Sequence, residues 1–137
     1  QDTAKGELKR VCSYMISGKD ELKDYMDDGF KKMMNGDSKG AIKAYTSAIA
    51  LNPNYARAYK FRGSVYFEIG KDKLALRDLN KSIELAPKNS SALLFRGLIK
   101  YGLNDVKGAC KDLKASYNLG NNKAVKEFNE KCPNISY

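Results

Sequence analysis

The 137-residue chain has 42% hydrophobic and 30% charged residues, which indicates one soluble globular domain and excludes a disordered chain. No apolar run approaches the roughly 18 residues that a membrane-spanning helix needs, so we predict no membrane span. The net charge of +9 favours acidic partners, whereas the absence of histidine removes the commonest general base and metal ligand. We therefore expect no cofactor, no metal site and no enzyme.

The first predicted element is an N-terminal helical segment over residues 1–21. An apolar stripe at helical spacing runs through it, formed by Leu8, Val11, Cys12 and Met15. Three roles remain open for this segment: a cap, a degenerate half-repeat or a flexible arm. Position 1 is Gln rather than Met, which suggests either a processed precursor or an artificial start, and we favour an exported location over a cytoplasmic one.

An internal repeat follows. Gly29, Gly63 and Gly97 are spaced by 34 residues, and several other small or apolar positions keep the same spacing. These positions are Ala41, Ala75 and Ala109; Tyr45, Leu79 and Leu113; Ala48, Ser82 and Ser116; Leu51, Leu85 and Leu119; and Pro53 and Pro87. The spacing defines three repeats, over residues 22–55, 56–89 and 90–123.

Each repeat is predicted to form two helices joined by a turn. In the middle repeat, Tyr59, Gly63 and Tyr66 lie on one helical stripe. A glycine costs about 1 kcal/mol relative to alanine inside a helix, so Gly63 indicates the close approach of a partner helix. Turn residues separate the paired helices at Asn35-Gly36-Asp37, Gly70-Lys71-Asp72 and Asn104-Asp105. Proline at two repeat ends stops the second helix, because it lacks a backbone N–H.

The 34-residue period, with its small residues at fixed positions and its terminal prolines, resembles the tetratricopeptide-repeat (TPR) family. The resemblance covers residues 22–123 and implies an all-α solenoid of stacked antiparallel helix pairs in a right-handed superhelix. The Trp that opens many repeats of this family is absent, and Tyr25, Tyr59 and Leu93 stand in its place. Lys32 and Lys100 occupy the position of Tyr66, as expected for less regular terminal repeats.

Residues 121–137 are predicted to form a C-terminal capping helix and a tail. Ala124, Val125 and Phe128 give this helix an apolar stripe that would cover the last open face of the stack. Cys110 and Cys132 each lie about one helix length from the turn near Gly120, so an antiparallel hairpin would bring them level. Two alternatives remain open, a disulfide or two buried small side chains.

Two ion pairs are predicted inside the repeats. Arg62 and Arg96 lie beside packing glycines, and Asp78 and Asp112 follow them by 16 residues. The first repeat lacks both partners, because Asp28 and Ala44 occupy its equivalent positions. This joint presence and absence predicts structural Arg62–Asp78 and Arg96–Asp112 pairs.

The family resemblance implies a peptide-binding groove lined by the first helix of each repeat. Helical spacing selects the residues that would face it: Lys23, Met26, Phe30, Met33, Arg57, Lys60, Phe67, Leu94, Leu98 and Tyr101. For Phe30, Phe67 and Tyr101, packing between neighbouring helices is an equally open interpretation. Some members of the family grip chaperone tails with a carboxylate clamp of Lys, Asn and Arg. The positions aligned with that clamp are here Met26, Phe30, Phe61, Ser91 and Phe95, which do not match it.

The sequence thus favours a scaffold or adaptor that binds an apolar or amphipathic segment of a partner protein of unknown identity. Lys23, Arg57 and Lys60 would add a preference for an acidic residue in that segment. One alternative is a basic surface that binds an anionic partner: RNA, an acidic protein or a membrane. Nucleic acid is disfavoured, since the chain has no block of like charges. The other alternative is self-association through the ends of the stack, although we favour a monomer.

Overall fold

The structure is a computed structural model that describes residues 20–134. Over these residues the chain forms seven helices and no strands. Helix α1 covers residues 20–34, and the helices after it are α2 (Ser38–Leu51), α3 (Ala56–Glu68), α4 (Asp72–Leu85), α5 (Ser90–Gly102), α6 (Val106–Asn118) and α7 (Asn122–Lys131). The predicted apolar stripe of Leu8, Val11, Cys12 and Met15 lies outside the described residues.

The chain divides into two compact units, one up to Pro53 and one from Asn54 onward. In the first unit, α1 and α2 meet where Gly29 faces Tyr45. A Cβ atom added to Gly29 would lie 2.6 Å from Cε1 of Tyr45, so only glycine leaves room for this fully buried ring. Tyr45 and three small residues, Ala41, Ala44 and Ala48, form the buried face of α2.

The second unit contains α3 to α7, which pack successively along the chain. The predicted close approaches occur in both of its hairpins. A Cβ atom on Gly63 would lie 3.1 Å from Cγ of Leu79, and one on Gly97 would lie 3.0 Å from Cγ of Leu113. Two buried clusters result: one of Ala75, Leu79, Ala92 and Ile99, and one of Leu94, Cys110, Leu113, Ala124 and Cys132.

Side-chain hydrogen bonds reinforce the helix boundaries. Asp37, Asn89, Asp105 and Asn121 cap the N-termini of four helices by accepting a hydrogen bond from a backbone N–H three residues later. The Ser82 hydroxyl donates to the Ala56 carbonyl at 2.9 Å, and Ser116 donates to the equivalent Ser90 carbonyl at 2.7 Å. In the second and third repeats, the serine at this small position thus ties the second helix of the hairpin to the backbone at the start of the first helix.

Within residues 20–134, no helix has both the length and the apolar character that crossing a bilayer requires.

Candidate functional site

The candidate site is a pocket of about 620 Å³ between α5 and α7. Helix α5 contributes Ser91, Leu94, Phe95 and Leu98 to its lining. Its other wall consists of the N-cap and first two turns of α7, with Asn121, Asn122, Lys123, Lys126 and Glu127. The pocket therefore has an apolar wall and a polar, mainly basic wall that face each other.

The apolar wall belongs to the core of the second unit. Leu94 is 5% exposed and lies in the same cluster as Cys110 and Cys132, and Leu98 packs against that cluster. Leu94 and Leu98 were predicted to face a groove, and both line this pocket. Because their inner sides are fixed by the core, they offer a pre-formed apolar surface to a bound side chain.

Helix α7 is held in place by several contacts with α5 and α6. A disulfide joins Cys110 to Cys132 at a Cα–Cα distance of 5.9 Å. The Phe128 ring packs edge-on against Tyr117, with centroids 6.2 Å apart. The Asn121 amide donates to the Ser90 hydroxyl at 3.3 Å, so the start of α7 is also tied to the start of α5. The position of the basic wall thus depends on residues outside the pocket.

The charges around the pocket favour an anionic ligand. Within the described part of the chain, Lys123 and Lys126 form no ion pair. Glu127, in contrast, is neutralised by Lys131, whose Nζ atom lies 2.6 Å from Oε2 of Glu127. The hydrogen bond with Glu127 raises the pKa of Lys131. Two uncompensated cations beside an apolar wall suit a segment that carries both apolar and acidic side chains.

The other predicted groove residues of the second unit have different environments. Tyr101 is 38% exposed, and Nζ of Lys131 lies 5.2 Å from its ring centroid. Phe67 packs against the buried cluster around Leu79, which supports the packing interpretation for this residue. Arg57 and Lys60 both lie beside the Phe61 ring on α3.

The predicted groove residues of the first unit all lie on α1. Phe30 is 49% exposed, whereas Met26 and Met33 are partly buried. Lys23 forms an exposed pair with Asp27, at 3.9 Å between Nζ and Oδ2. Phe30, Met26 and Met33 offer apolar surface on one helix.

The structure contains both predicted ion pairs, and each is bidentate. Nε and Nη2 of Arg62 donate to the two carboxylate oxygens of Asp78 at 2.7 and 2.8 Å, and Arg96 bonds Asp112 with the same distances. The aspartates are almost fully buried, whereas the arginines lie 18% and 20% exposed. The hydrogen bond with Asp78 is the main reason why the pKa of Arg62 is raised. Their position between paired helices suits orientation of the helices rather than contact with a ligand.

Sequence reasoning missed the polar wall and a third member of one ion pair. Lys123, Lys126 and Glu127 have the i, i+3, i+4 spacing of one helix face, and they lie on the side of α7 opposite Ala124 and Phe128. That spacing is a usable signal once the capping helix is identified. Lys100, which replaces the Tyr66 of the middle repeat, places its Nζ atom 3.0 Å from Oδ2 of Asp112.

In the part of the chain that the structure describes, no group of three or more Cys, Asp or Glu side chains is placed to hold a metal ion.

Comparisons with known proteins give matches at the level of family and fold. A family profile described as TPR repeat matches residues 33–70, and one described as Tetratricopeptide repeat matches residues 56–89. A search of curated proteins gives no match.

Several solved structures are similar in fold. The second TPR domain of human RPAP3, solved by NMR in complex with the HSP70 peptide SGPTIEEVD, is 27% identical with a TM-score of 0.78, over 83% of this chain and 97% of that one. The first TPR of Spaghetti (RPAP3), bound to the HSP90 peptide SRMEEVD, is 24% identical with a TM-score of 0.79, over 83% and 92% of the two chains. The Arabidopsis OM64 TPR domain is 24% identical with a TM-score of 0.81, over 86% and 99%.

The glycine-mediated helix pairs, the 34-residue period and the two profile matches agree with one another. Residues 33–89 are tetratricopeptide repeats, and the described chain has the all-α helical-repeat solenoid fold of TPR domains, which are protein–protein interaction modules.

Proposed function

We propose that this protein binds a short amphipathic segment of a partner protein in the pocket between α5 and α7, and that it acts as a scaffold or adaptor rather than as an enzyme. An apolar side chain of the segment lies against Leu94, Phe95 and Leu98, and an acidic side chain lies near Lys123 and Lys126. The observation that carries the proposal is the pairing, in one pocket, of a core-anchored apolar wall with two lysines that form no ion pair within residues 20–134.

The chemistry of the pocket argues against a chaperone-tail carboxylate clamp. The RPAP3 domains bind peptides that end in EEVD, whereas the positions aligned with the clamp are here Met26, Phe30, Phe61, Ser91 and Phe95. Ser91 and Phe95 line the pocket, and the Phe95 ring has no polar atom with which to hold a carboxylate. An internal apolar anchor supplies the affinity instead, and the lysines add a preference for acidic neighbours.

A positional-scanning peptide library with blocked termini tests this function. We expect selection of a Leu, Ile, Met or Phe with Asp or Glu nearby, and weaker binding of SGPTIEEVD, tested separately with its C-terminal carboxylate free, than of the selected peptides. Lys126→Glu should weaken the selected peptides at least about fivefold, because it reverses a charge at the pocket wall. Lys107→Glu, an exposed lysine on α6 outside the pocket, is the matched control.

The outcomes separate a specific pocket from general charge attraction. Equal weakening by Lys107→Glu and Lys126→Glu would assign binding to the net charge of +9 and would contradict the pocket. Tighter binding of SGPTIEEVD with its C-terminal carboxylate free than of the selected blocked peptides would restore the clamp. Circular dichroism of each variant checks that the helices are retained.

A further inference from the structure

Two cations on α3 share a single aromatic ring. Nζ of Lys60 lies 4.8 Å from the Phe61 ring centroid, and Cζ of Arg57 lies 5.9 Å from the same centroid. Within residues 20–134, neither cation forms an ion pair with a carboxylate. The arrangement therefore concentrates positive charge on one side of α3.

The positive charge is electrostatically unfavourable in the free protein. Burial, followed by the nearby positive charge of Arg57, lowers the pKa of Lys60. A ligand carboxylate placed between the two side chains would offset both effects, since an opposite charge stabilises each cation. The site thus has a stronger requirement for an anion than an isolated surface lysine.

The repeat relates these residues to the pocket. Arg57, Lys60 and Phe61 lie 34 residues before Ser91, Leu94 and Phe95, which line the pocket from α5. Equivalent positions of α3 and α5 point to the same side of the helical layer, and the two helices are in contact. The cations therefore lie on the same side of the second unit as the pocket opening, one helix away.

We propose that Arg57 and Lys60 form a second subsite that receives an acidic side chain of the same peptide whose apolar side chain occupies the pocket. This inference rests on the proposed function. Neighbouring helices in contact have axes roughly 8–10 Å apart, and an extended peptide advances about 3.3 Å per residue. The pocket lies just beyond α5, so the acidic residue should be about three or four positions from the apolar anchor.

The test is a series of peptides with both termini blocked, one Leu anchor and one Glu at offsets of one to six residues on either side. Dissociation constants measured by fluorescence anisotropy should be about three- to tenfold lower at offsets of three or four than at the other offsets. The preference should decrease with added salt, because the charges are partly exposed. Blocking the termini ensures that a side-chain carboxylate, and not a terminal one, is responsible.

Variants of α3 assign the preference to these residues. In Arg57→Gln and Lys60→Gln, Glu at an offset of three or four should lose its advantage over Glu at the other offsets, while a peptide with Gln in place of Glu should bind as it does to the wild type. Lys60→Arg should retain the preference, because it preserves the charge. Lys73→Gln, on an exposed position of α4, should have no effect.

Three outcomes would overturn the inference. An affinity that does not vary with the offset of Glu, or a preference that persists in the Arg57→Gln, Lys60→Gln double variant, would remove the second subsite and leave the apolar pocket intact. Loss of the preference in Lys73→Gln would show an effect of overall charge. Failure of every peptide to bind the wild type would instead remove the proposed function itself.

Discussion

At the scale of residues, one position changes its role from repeat to repeat. The position is Asp28 in the first repeat, Arg62 in the second and Arg96 in the third. Asp28 pairs with Lys32 on its own helix at 2.9 Å, whereas each arginine reaches an aspartate on the next helix. The exposed Asp28–Lys32 pair contributes little to the free energy of folding, whereas each buried pair fixes the relative orientation of two helices.

These pairs predict a graded loss of stability when the aspartate is replaced. Asp78→Asn should lower the free energy of unfolding by about 3 kcal/mol, because it leaves the largely buried guanidinium of Arg62 without its carboxylate. Asp112→Asn should cost at least as much, since Arg96 and Lys100 both lose their partner. Urea unfolding measures both changes.

Asp28→Asn is the control for those two variants. It breaks an exposed pair within one helix and should cost at most about 0.5 kcal/mol. If Asp112→Asn were no more destabilising than Asp28→Asn, the buried pairs would not hold the helices together.

A second residue-scale prediction concerns Tyr45. Burial raises the pKa of its hydroxyl to about 12 from the ordinary value of 10.0. Between these values the unfolded chain releases the proton while the folded chain keeps it, so stability should fall as pH rises. The expected fall is about 1.4 kcal/mol per pH unit between pH 10 and about pH 12, and it is absent well below pH 10.

Tyr45→Phe provides the comparison for this prediction. The lysines also titrate in the same range, but they are identical in the two proteins. The slope of unfolding free energy against pH should therefore be shallower in Tyr45→Phe, as measured by urea unfolding from pH 9 to 11. Equal slopes would mean that the Tyr45 hydroxyl ionises as readily in the folded chain as in the unfolded one.

At the scale of elements, α7 depends most on tertiary contacts. It has ten residues, fewer than an isolated helix needs to be stable in water. Within α7, the buried residue is Ala124, which has no exposed surface. The disulfide at Cys132 and the Phe128–Tyr117 contact therefore decide whether the basic wall of the pocket stays in place.

The disulfide predicts a change that is largest at α7. Cys110 and Cys132 are 22 residues apart, and a loop of that size stabilises the folded chain by about 3 kcal/mol in the chain-entropy model. Replacing both cysteines by alanine should lower overall stability and should increase amide hydrogen exchange in α7 more than in α3. The affinity for pocket-binding peptides should fall as well, because α7 carries the basic wall of the pocket.

Reduction with dithiothreitol should reproduce the behaviour of the double-alanine variant, because both remove the same bond. Thiol titration of the unreduced protein in denaturant should find one thiol among the three cysteines. Three titratable thiols would show that Cys110 and Cys132 are not bridged, the alternative left open by the sequence.

At the scale of the whole molecule, the proposed binding features all lie in the second compact unit. The pocket, the basic wall and the Arg57–Lys60 pair belong to α3, α5 and α7. All three helices lie in the unit that begins at Asn54. The first unit contributes exposed apolar surface at Phe30 and Met34 instead. Two alternatives to peptide binding are an anionic macromolecule on the basic surface and self-association. Equal weakening of binding by Lys107→Glu and Lys126→Glu would favour the first. A molecular size that increases with protein concentration would favour the second.

Much of the fold was predictable because its determinants repeat. Gly63 and Gly97 marked close helix approaches, Pro53 and Pro87 marked helix ends, and the matching pattern of arginine and aspartate identified two ion pairs. The candidate site was harder to predict from the sequence. Leu94 and Leu98 were selected by helical spacing, but Lys123 and Lys126 were not, because α7 falls outside the three full repeats.

The sequence by itself determined the helices, their pairing and the residues that meet inside each repeat, because a 34-residue period places the same side chains at the same contacts each time. Only the tertiary structure decided that a pocket opens between α5 and α7, that Glu127 is neutralised by Lys131, and that Lys100 joins Asp112. These features depend on where one short capping helix docks and on the side-chain conformations around it. No local periodicity encodes that geometry, since it arises from contacts between residues that are distant along the chain.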